Sequence, residues 1–440
     1  MMRISNYAEA ERYLLSTIDE TVSRRTSYKL DRMYAFLHHL GDPHRGFPSI
    51  HVGGTSGKGS TSTMIAGALQ AGGKRTGLHT KPHLNSMTER ARIDGVAIPQ
   101  ERFAELLDSA MPAIERTTAT NGRPTYYETL LGLTFAYFAD EHVDVAVVEV
   151  GLGGRLDGTN VLLPVVAAIT SVGYDHTDVL GETLEEIARE KAGIAKRGVP
   201  LVLAAVPDAA RTVIEAEAAR AGAPVVRVDE VVRLELLESS ADGMVLAAVT
   251  AKATYRLRLP LLGRFQRSNA ATALAVLGQL GDALRPTAEA IARGFAGVTL
   301  PGRMELLRMR PPVLFDIAHN AEKAESLAAS LAESFPGRRI HYVVAIGESK
   351  DARTIVATLA RLPSSTFTFT AFSVAGRRAT PPSKLATLAA ALGTWGRAIS
   401  DPVEALTVAR RMAALDDLVV VTGSTFVVAT LREWYAAAAV

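Results

Sequence analysis

The chain has 440 residues, 48% of them hydrophobic and 21% charged, material for two to four domains at roughly 100–200 residues each, which excludes a disordered or fibrous protein. Its 48 Lys+Arg offset 46 Asp+Glu to a net charge of +2, so no strong field draws nucleic acid or an anionic membrane surface, and a small molecule is the expected partner. With no cysteine there is no disulfide, thiolate nucleophile or Cys-ligated cluster, and any metal must sit on oxygen and nitrogen ligands.

The segment Met1–Leu15 is interrupted by Arg3, Glu9, Glu11 and Arg12 and lacks the apolar core of a targeting signal. The longest apolar runs, such as Val199–Pro207 and Leu418–Val421, are far short of the ~20 residues of a membrane span. The expectation is a cytoplasmic protein with neither nucleic acid nor membrane as partner.

Short Val/Ile/Ala-rich runs then alternate with longer helical patterns, the pattern of an α/β fold with mostly parallel sheets covered by helices. Strands are expected at Ile50–Gly53, Arg75–His79, Asp144–Val150, Val165–Thr170, Pro200–Leu203 and Val225–Val228, with helices at Gly59–Ala71, Tyr126–Asp140, Leu184–Lys196 and Asp208–Ala221. Val231–Leu259 alternates apolar and polar residues around Asp242-Gly243 and predicts a small antiparallel hairpin appended to the parallel sheet. Helices at Ser268–Leu280 and Pro286–Ala296 precede a breaker cluster, Gly297–Arg303, which predicts a hinge between domains. Beyond it the alternation restarts. Strands are expected at Val313–Asp316, Ile340–Ile346, Thr366–Phe372 and Leu418–Thr422, with helices at Ala321–Ser334, Ala352–Arg361, Ser383–Leu392, Pro402–Ala414 and Thr425–Ala436. The expected organisation is an N-terminal P-loop ATPase-type domain over 1–297 and a smaller Rossmann-like α/β domain over 298–440.

Between the first strand and its helix the text is His51-Val-Gly-Gly-Thr-Ser-Gly-Lys-Gly-Ser60. Small residues let backbone N–H groups converge on phosphate oxygens, and the helix N-terminus adds partial positive charge. Lys58 neutralises the β/γ-phosphates, and the Ser60 hydroxyl can hold Mg²⁺. Gly54, Thr55, Gly57, Lys58, Gly59, Ser60 and Thr61 are the candidate nucleotide contacts. The spacing departs from G-x-x-x-x-G-K-[ST] by one residue after the lysine. The competing reading is a Gly-rich turn with a surface lysine.

Glu149 closes its strand just before Gly151-Leu-Gly-Gly-Arg-Leu-Asp-Gly-Thr-Asn160. A carboxylate at the carboxyl end of a parallel strand lies where open α/β sheets bind ligands and can reach a Mg²⁺ on the triphosphate. The next strand leads into Ser171-Val-Gly-Tyr-Asp-His176, so His176 is a candidate nitrogen ligand. Lys191, in Glu190-Lys-Ala-Gly-Ile194, reads by itself as a solvated helical lysine.

These motifs together resemble the Mur-ligase superfamily and, within it, folylpolyglutamate synthase and the bifunctional dihydrofolate synthase. The matching text is HVGGTSGKGS (51–60), PHL (82–84), ER (89–90), EVGLGGRLDGTN (149–160), DH…LG…EKAGI (175–194), GRFQRSNA (263–270), PGR (301–303), DIAHN (316–320) and TGS (422–424), in the family's order. The resemblance implies that Ser60, Glu149 and His176 are Mg²⁺ ligands and that Lys191 is a carbamylated lysine acting as a carboxylate. It implies ATP contacts from Asn269, Arg303, Asp316 and His319. It further implies an ATP-dependent ligase that joins L-glutamate to folate or dihydropteroate through an acyl phosphate; a monomer is expected. Lys81, Pro82, His83 and Arg90 are the expected substrate contacts, with Met87 and Leu84 as an apolar slot for a pterin ring and Lys81, Arg90 and Arg92 as cations for a glutamyl tail. Three departures stand out: Ser56 for the family's Asn, Ile317 for its Gly, and Lys81 for a serine that is a metal ligand in the family. The alternatives are a Mur-type amide ligase with a different carboxylate acceptor and a Mur-like nucleotide-binding subunit of a complex.

Overall fold

A computed structural model of the chain describes residues 3–18, 30–307, 310–362, 364–374 and 377–437; Met1 and Met2 of the amino-terminal segment lie outside the described residues. The described chain divides into two compact units, one made of 1–237, 245–259 and 265–298, the other of 238–244, 260–264 and 299–440.

The first unit is built on eight strands: β1 (Ser49–Gly53), β2 (Thr76–His79), β3 (Ala91–Ile93), β4 (Val96–Ala97), β5 (Val145–Glu149), β6 (Val166–Ile169), β7 (Leu201–Leu203) and β8 (Val225–Arg227). Their order across the sheet is β4-β3-β2-β5-β1-β6-β7-β8. β1 pairs in parallel with β5 and β6, so it lies where the winding of the chain reverses. β1, β5 and β6 are buried at every residue, which is why they read as continuous Val/Ile/Ala runs rather than alternating ones. The carboxyl ends of these three strands form the crevice in which such sheets bind ligands.

Several elements were not foreseen from sequence, among them the following two. A short helical turn at Met87–Arg90 follows β2 and leads into β3, which pairs antiparallel with β2. Residues 100–121, given no element by sequence, form a 22-residue helix through Pro112. Proline normally marks a break, yet Phe103, Leu106, Leu107, Ala110, Met111 and Ile114 keep the helical apolar stripe and bury it.

The expected hairpin is a three-stranded sheet of its own, ordered β11-β10-β9, from β9 (Val232–Ser240), β10 (Gly243–Thr250) and β11 (Thr254–Leu259). Its second turn, Ala251-Lys-Ala253, carries no Gly, Asn or Pro. It is held instead by Thr250 Oγ1, which accepts from the backbone N–H groups of Lys252 and Ala253 at 3.2 Å each, a hydroxyl-made turn that residue type alone hides.

The second unit holds β12 (Glu305–Leu307), β13 (Val313–Phe315), β14 (Ile340–Val344), β15 (Thr366–Phe369), β16 (Gly396–Ala398) and β17 (Leu418–Thr422), ordered β12-β13-β17-β14-β15-β16. Only β12 runs antiparallel to its neighbour. Among the described residues no helix is long and apolar enough to cross a membrane.

Candidate active site

The phosphate loop leaves β1 at Gly53 and enters the helix Lys58–Ala71 through Gly57. Three of its glycines each admit a different neighbour. Gly54 has φ +140, and a Cβ there would lie 2.1 Å from Thr170 Oγ1. At Gly57, with φ +83, a Cβ would lie 2.3 Å from Asn269 Oδ1. At Gly59 it would lie 3.3 Å from Glu149 Oε2. The loop is therefore packed against the end of β6, the helix Phe265–Gln279 and the end of β5, which explains why small residues are needed there.

Residues that sequence reading did not single out hold the loop in shape. Thr170 Oγ1 donates to Ser56 O at 2.6 Å, and Ser171 Oγ accepts from Ser56 N at 2.8 Å. Thr55 N donates to Ser171 O at 2.9 Å, while its hydroxyl accepts from Gly173 N at 3.0 Å. Their one sequence signal is position, directly after a buried parallel strand. Lys58 Nζ donates to Gly54 O at 2.8 Å and Thr55 O at 3.1 Å, so its ammonium lies across the loop it is expected to serve. Thr61 is fully buried. Asn269 is buried and gives its side-chain amide to Gln266 Oε1 at 2.9 Å.

Glu149 is 3% exposed and sits opposite the first turn of the phosphate helix, where Ser60 stands. Its Oε2 also accepts the backbone N–H of Lys81 at 3.1 Å. His176 is left-handed at φ 50 and opens the short helix Thr177–Leu180; its imidazole lies 3.8 Å from Asp175 Oδ1 and is 40% exposed. No three His, Asp or Glu side chains among the described residues converge to hold a metal unaided.

Lys191 overturns the reading of a solvated lysine: it is 3% exposed, in the last turn of the helix Leu184–Ala192. A Cβ on Gly154 would meet the carbonyl oxygens of Glu190 and Lys191 at 2.8 and 2.9 Å, and one on Gly193 would meet Arg155 Cβ at 2.3 Å. Arg155 N donates to Glu190 O at 2.8 Å, and Asn160 Nδ2 donates to Gly193 O at 3.0 Å. The motifs at 149–160 and 190–194 are thus two sides of one contact. Beneath them Asp157 Oδ1 accepts from Thr159 Oγ1 at 2.5 Å, and Thr159 in turn accepts from His51 Nε2 at 2.8 Å. Complete burial holds His51 neutral, with its pKa pushed down to about 3.

The expected substrate segment is an ordered turn. Burial pushes the Glu89 carboxyl up, but the N–H groups of Leu84, Ser86 and Asn85 and the charge of Arg92 outweigh it, and the net shift is downward. Arg90 Nε donates to His83 Nδ1 at 2.8 Å, and its guanidinium lies 5.8 Å from the centre of the Tyr126 ring. Burial, then the charge of Arg90, push His83 down to about 4. The ring is neutral at pH 7 and leaves Nε2–H as its free donor. Pro82 is exposed. Met87 corrects the proposed slot: it is 3% exposed within the hydrophobic core that includes Phe103, so it cannot line an open pterin pocket, whereas Leu84 stays half-buried at the surface.

In the second unit Asp316 follows β13, and its carboxylate accepts from Met304 N and Ala318 N at 2.9 Å each. Burial raises its pKa despite those bonds and the charge of Arg303. His319 Nδ1 donates to Ile317 O at 2.8 Å and Lys323 Nζ donates to its Nε2 at 3.3 Å; burial pushes its pKa down to about 4.

Residues 52–277 match the Mur ligase middle domain, and 302–425 match the Mur ligase glutamate ligase domain. The dihydrofolate synthase/folylpolyglutamate synthase of Bacillus subtilis is 33% identical over 413 residues, covering 92% of this chain and 94% of that protein. The structure of E. coli FolC in complex with DHPP and ADP has a TM-score of 0.87 at 30% identity and covers 100% of both chains. The bifunctional enzyme of Yersinia pestis complexed with AMPPNP and Mn ion has a TM-score of 0.83 at 30% identity, over 99% of this chain and 100% of that one. The chain therefore belongs to the Mur ligases, in the folylpolyglutamate synthase/dihydrofolate synthase family.

Proposed function

We propose that this chain is an ATP- and Mg²⁺-dependent amide ligase that adds L-glutamate to a folate, to dihydropteroate, or to both. The observation that carries the reading is the convergence at the carboxyl ends of β1, β5 and β6: a phosphate loop, a buried carboxylate against its helix, and a polar clamp that shapes it. A carboxylate does not yield its oxygen to an amine at neutral pH without activation. In the proposed reaction the acceptor carboxylate oxygen attacks the γ-phosphorus, the bond to the bridging oxygen breaks, and ADP leaves. The glutamate amine then attacks the acyl carbon of the resulting acyl phosphate, loses a proton, and expels inorganic phosphate.

Lys58 and the backbone N–H groups of the loop bind and orient the phosphates, so positioning and electrostatics carry most of the rate. Ser60, Glu149 and His176 supply two oxygen donors and one nitrogen. That set suits a Mg²⁺ shared with nucleotide phosphates, which commonly takes one or two carboxylates from the protein. When bound, Mg²⁺ neutralises charge on the phosphoryl oxygens. Lys191, buried in the last turn of its helix, is proposed to be carbamylated, as the resemblance of Glu190-Lys-Ala-Gly-Ile194 implies. Arg303, Asp316 and His319 are proposed nucleotide contacts from the second unit. Pro82, His83 and Arg90 are proposed for the acceptor, with neutral His83 offering Nε2–H. The reading includes a cytoplasmic monomer, whose mass sedimentation measures.

Purified chain with MgATP, radiolabelled L-glutamate and either dihydropteroate or tetrahydrofolate tests the whole. The expected result is a labelled conjugate, with its added mass confirmed by mass spectrometry. Turnover only with another acceptor rejects the folate assignment and keeps the ligase; absence of ATP turnover with any acceptor rejects both.

A further inference from the structure

Lys81 is placed by a carboxylate rather than by its own side chain. Its backbone N–H donates to Glu149 Oε2 at 3.1 Å, the same oxygen that stands 3.3 Å from where a Gly59 Cβ would be. One oxygen therefore has Lys81 on one side and the first turn of the phosphate helix on the other, which fixes the Lys81 backbone at the mouth of the phosphate loop. The side chain is half-buried. Burial works against its charge, while the carboxylates of Glu149, Asp157 and Asp175 favour it, and Arg90 opposes it.

Among the described residues the Lys81 ammonium closes neither a hydrogen bond nor an ion pair within 4.0 Å. The loop's own lysine, by contrast, is engaged with the carbonyls of Gly54 and Thr55. A half-buried ammonium on a flexible four-carbon stem, attracted by carboxylates but bonded to none, has the reach and the spare donors to take an anion. On the nucleotide reading above, the anion at this loop is a polyphosphate.

We propose that Lys81 is a second phosphate-binding cation: its ammonium binds the terminal phosphoryl oxygens of a nucleoside triphosphate beside Glu149, so that this chain holds the triphosphate with reduced dependence on a divalent ion. The inference rests on the phosphate loop being a nucleotide site, as read above.

Calorimetric titration of the full chain with AMPPNP in excess EDTA tests it, with AMP as a control ligand that lacks the β- and γ-phosphates. Lys81→Met keeps most of the apolar stem, Lys81→Arg keeps the charge, and Lys81→Gln replaces the first should Lys81→Met fail to fold. Loss of one charge-assisted contact predicts AMPPNP binding weakened about 10-fold in Lys81→Met, near wild-type binding in Lys81→Arg, and AMP binding unchanged in both. AMPPNP complexes prepared without EDTA, titrated with Mn²⁺ and followed by electron paramagnetic resonance, should bind the ion more tightly in Lys81→Met, because Glu149 has lost a competing cation. Equal AMPPNP affinities in wild type and Lys81→Met, or an equal loss for AMP, overturn the inference while the nucleotide site stands. A wild-type chain that binds no AMPPNP, with or without Mg²⁺, overturns the nucleotide reading and this one with it.

Discussion

Replacing Gly57 by alanine isolates what the phosphate loop requires of its neighbours. The residue sits at φ +83, immediately before the helix Lys58–Ala71, and an L-residue held in that left-handed region costs about 1–2 kcal/mol. The new Cβ would lie 2.3 Å from Asn269 Oδ1. Asn269 is buried and bonded to Gln266, so it can yield only by giving up that bond or by pushing the loop outward. Overpacking of this kind adds about 1–3 kcal/mol, for a total of about 2–5 kcal/mol. Asn269→Ala alone removes the obstruction and loses one hydrogen bond, about 1 kcal/mol. The double variant should then retain the backbone strain but not the clash, giving a favourable coupling of about 1–3 kcal/mol. Urea unfolding of the four proteins measures it. Additivity within about 0.5 kcal/mol would show that Asn269 does not set the glycine requirement and that the argument from the missing Cβ is wrong.

Lys58→Ala and Glu149→Gln should each lower ligation by about 10²-fold or more through lost transition-state stabilisation, and steady-state rates near wild type would reject their placement in the machinery. Lys191→Ala should lose activity that added short carboxylates partly restore, and ¹³C NMR of wild type in ¹³C-bicarbonate should show a carbamate; its absence in a fully active sample rejects the modification. His51 and His79 are both buried, with pKa values pushed down to about 3. Since the unfolded chain takes up protons that the folded chain refuses, stability should be full above the unfolded pKa and fall as pH drops through the window from about 6.5 toward 3, by ~2 kcal/mol per histidine between pH 7 and 5. His79→Phe should flatten the pH dependence of the urea midpoint over that range, and an unchanged slope would refute the account.

Much of this was legible in the sequence because it depends on local chemistry. The phosphate loop announces itself through glycines and a lysine between a strand and a helix. Glu149 does so by ending an apolar run, and the parallel sheets by strands buried on both faces. What sequence hid depends on partners far along the chain. Nothing in Glu190-Lys-Ala-Gly-Ile194 says that its lysine is buried, because the burial comes from the Gly154 segment packing onto it. Nothing at Met87 separates a pocket wall from a core residue, because the core it joins is drawn from far along the chain and includes the helix 100–121, which runs through a proline. The polar clamp of Thr170 and Ser171 is invisible for the same reason: it acts on Ser56, 114 and 115 residues away.

The same distance dependence changes what the motif glycines mean. Gly54, Gly57, Gly59, Gly154 and Gly193 are not interchangeable pieces of flexible loop, since each lacks a Cβ where a different side chain or carbonyl already lies, at 2.1 to 3.3 Å. Several of those neighbours are the chemically interesting residues: Asn269, Glu149 and the backbone of Lys191. The glycines thus work as spacers that set how closely the candidate ligands approach the phosphate loop. A methyl group at Gly57, Gly59 or Gly154 would press on an amide, a carboxylate or the backbone of a lysine without altering its chemistry. Because binding and catalytic geometry tolerates roughly half an ångström, a motif rich in glycine is here a record of distances, and its chemistry is carried by the residues it allows to come near.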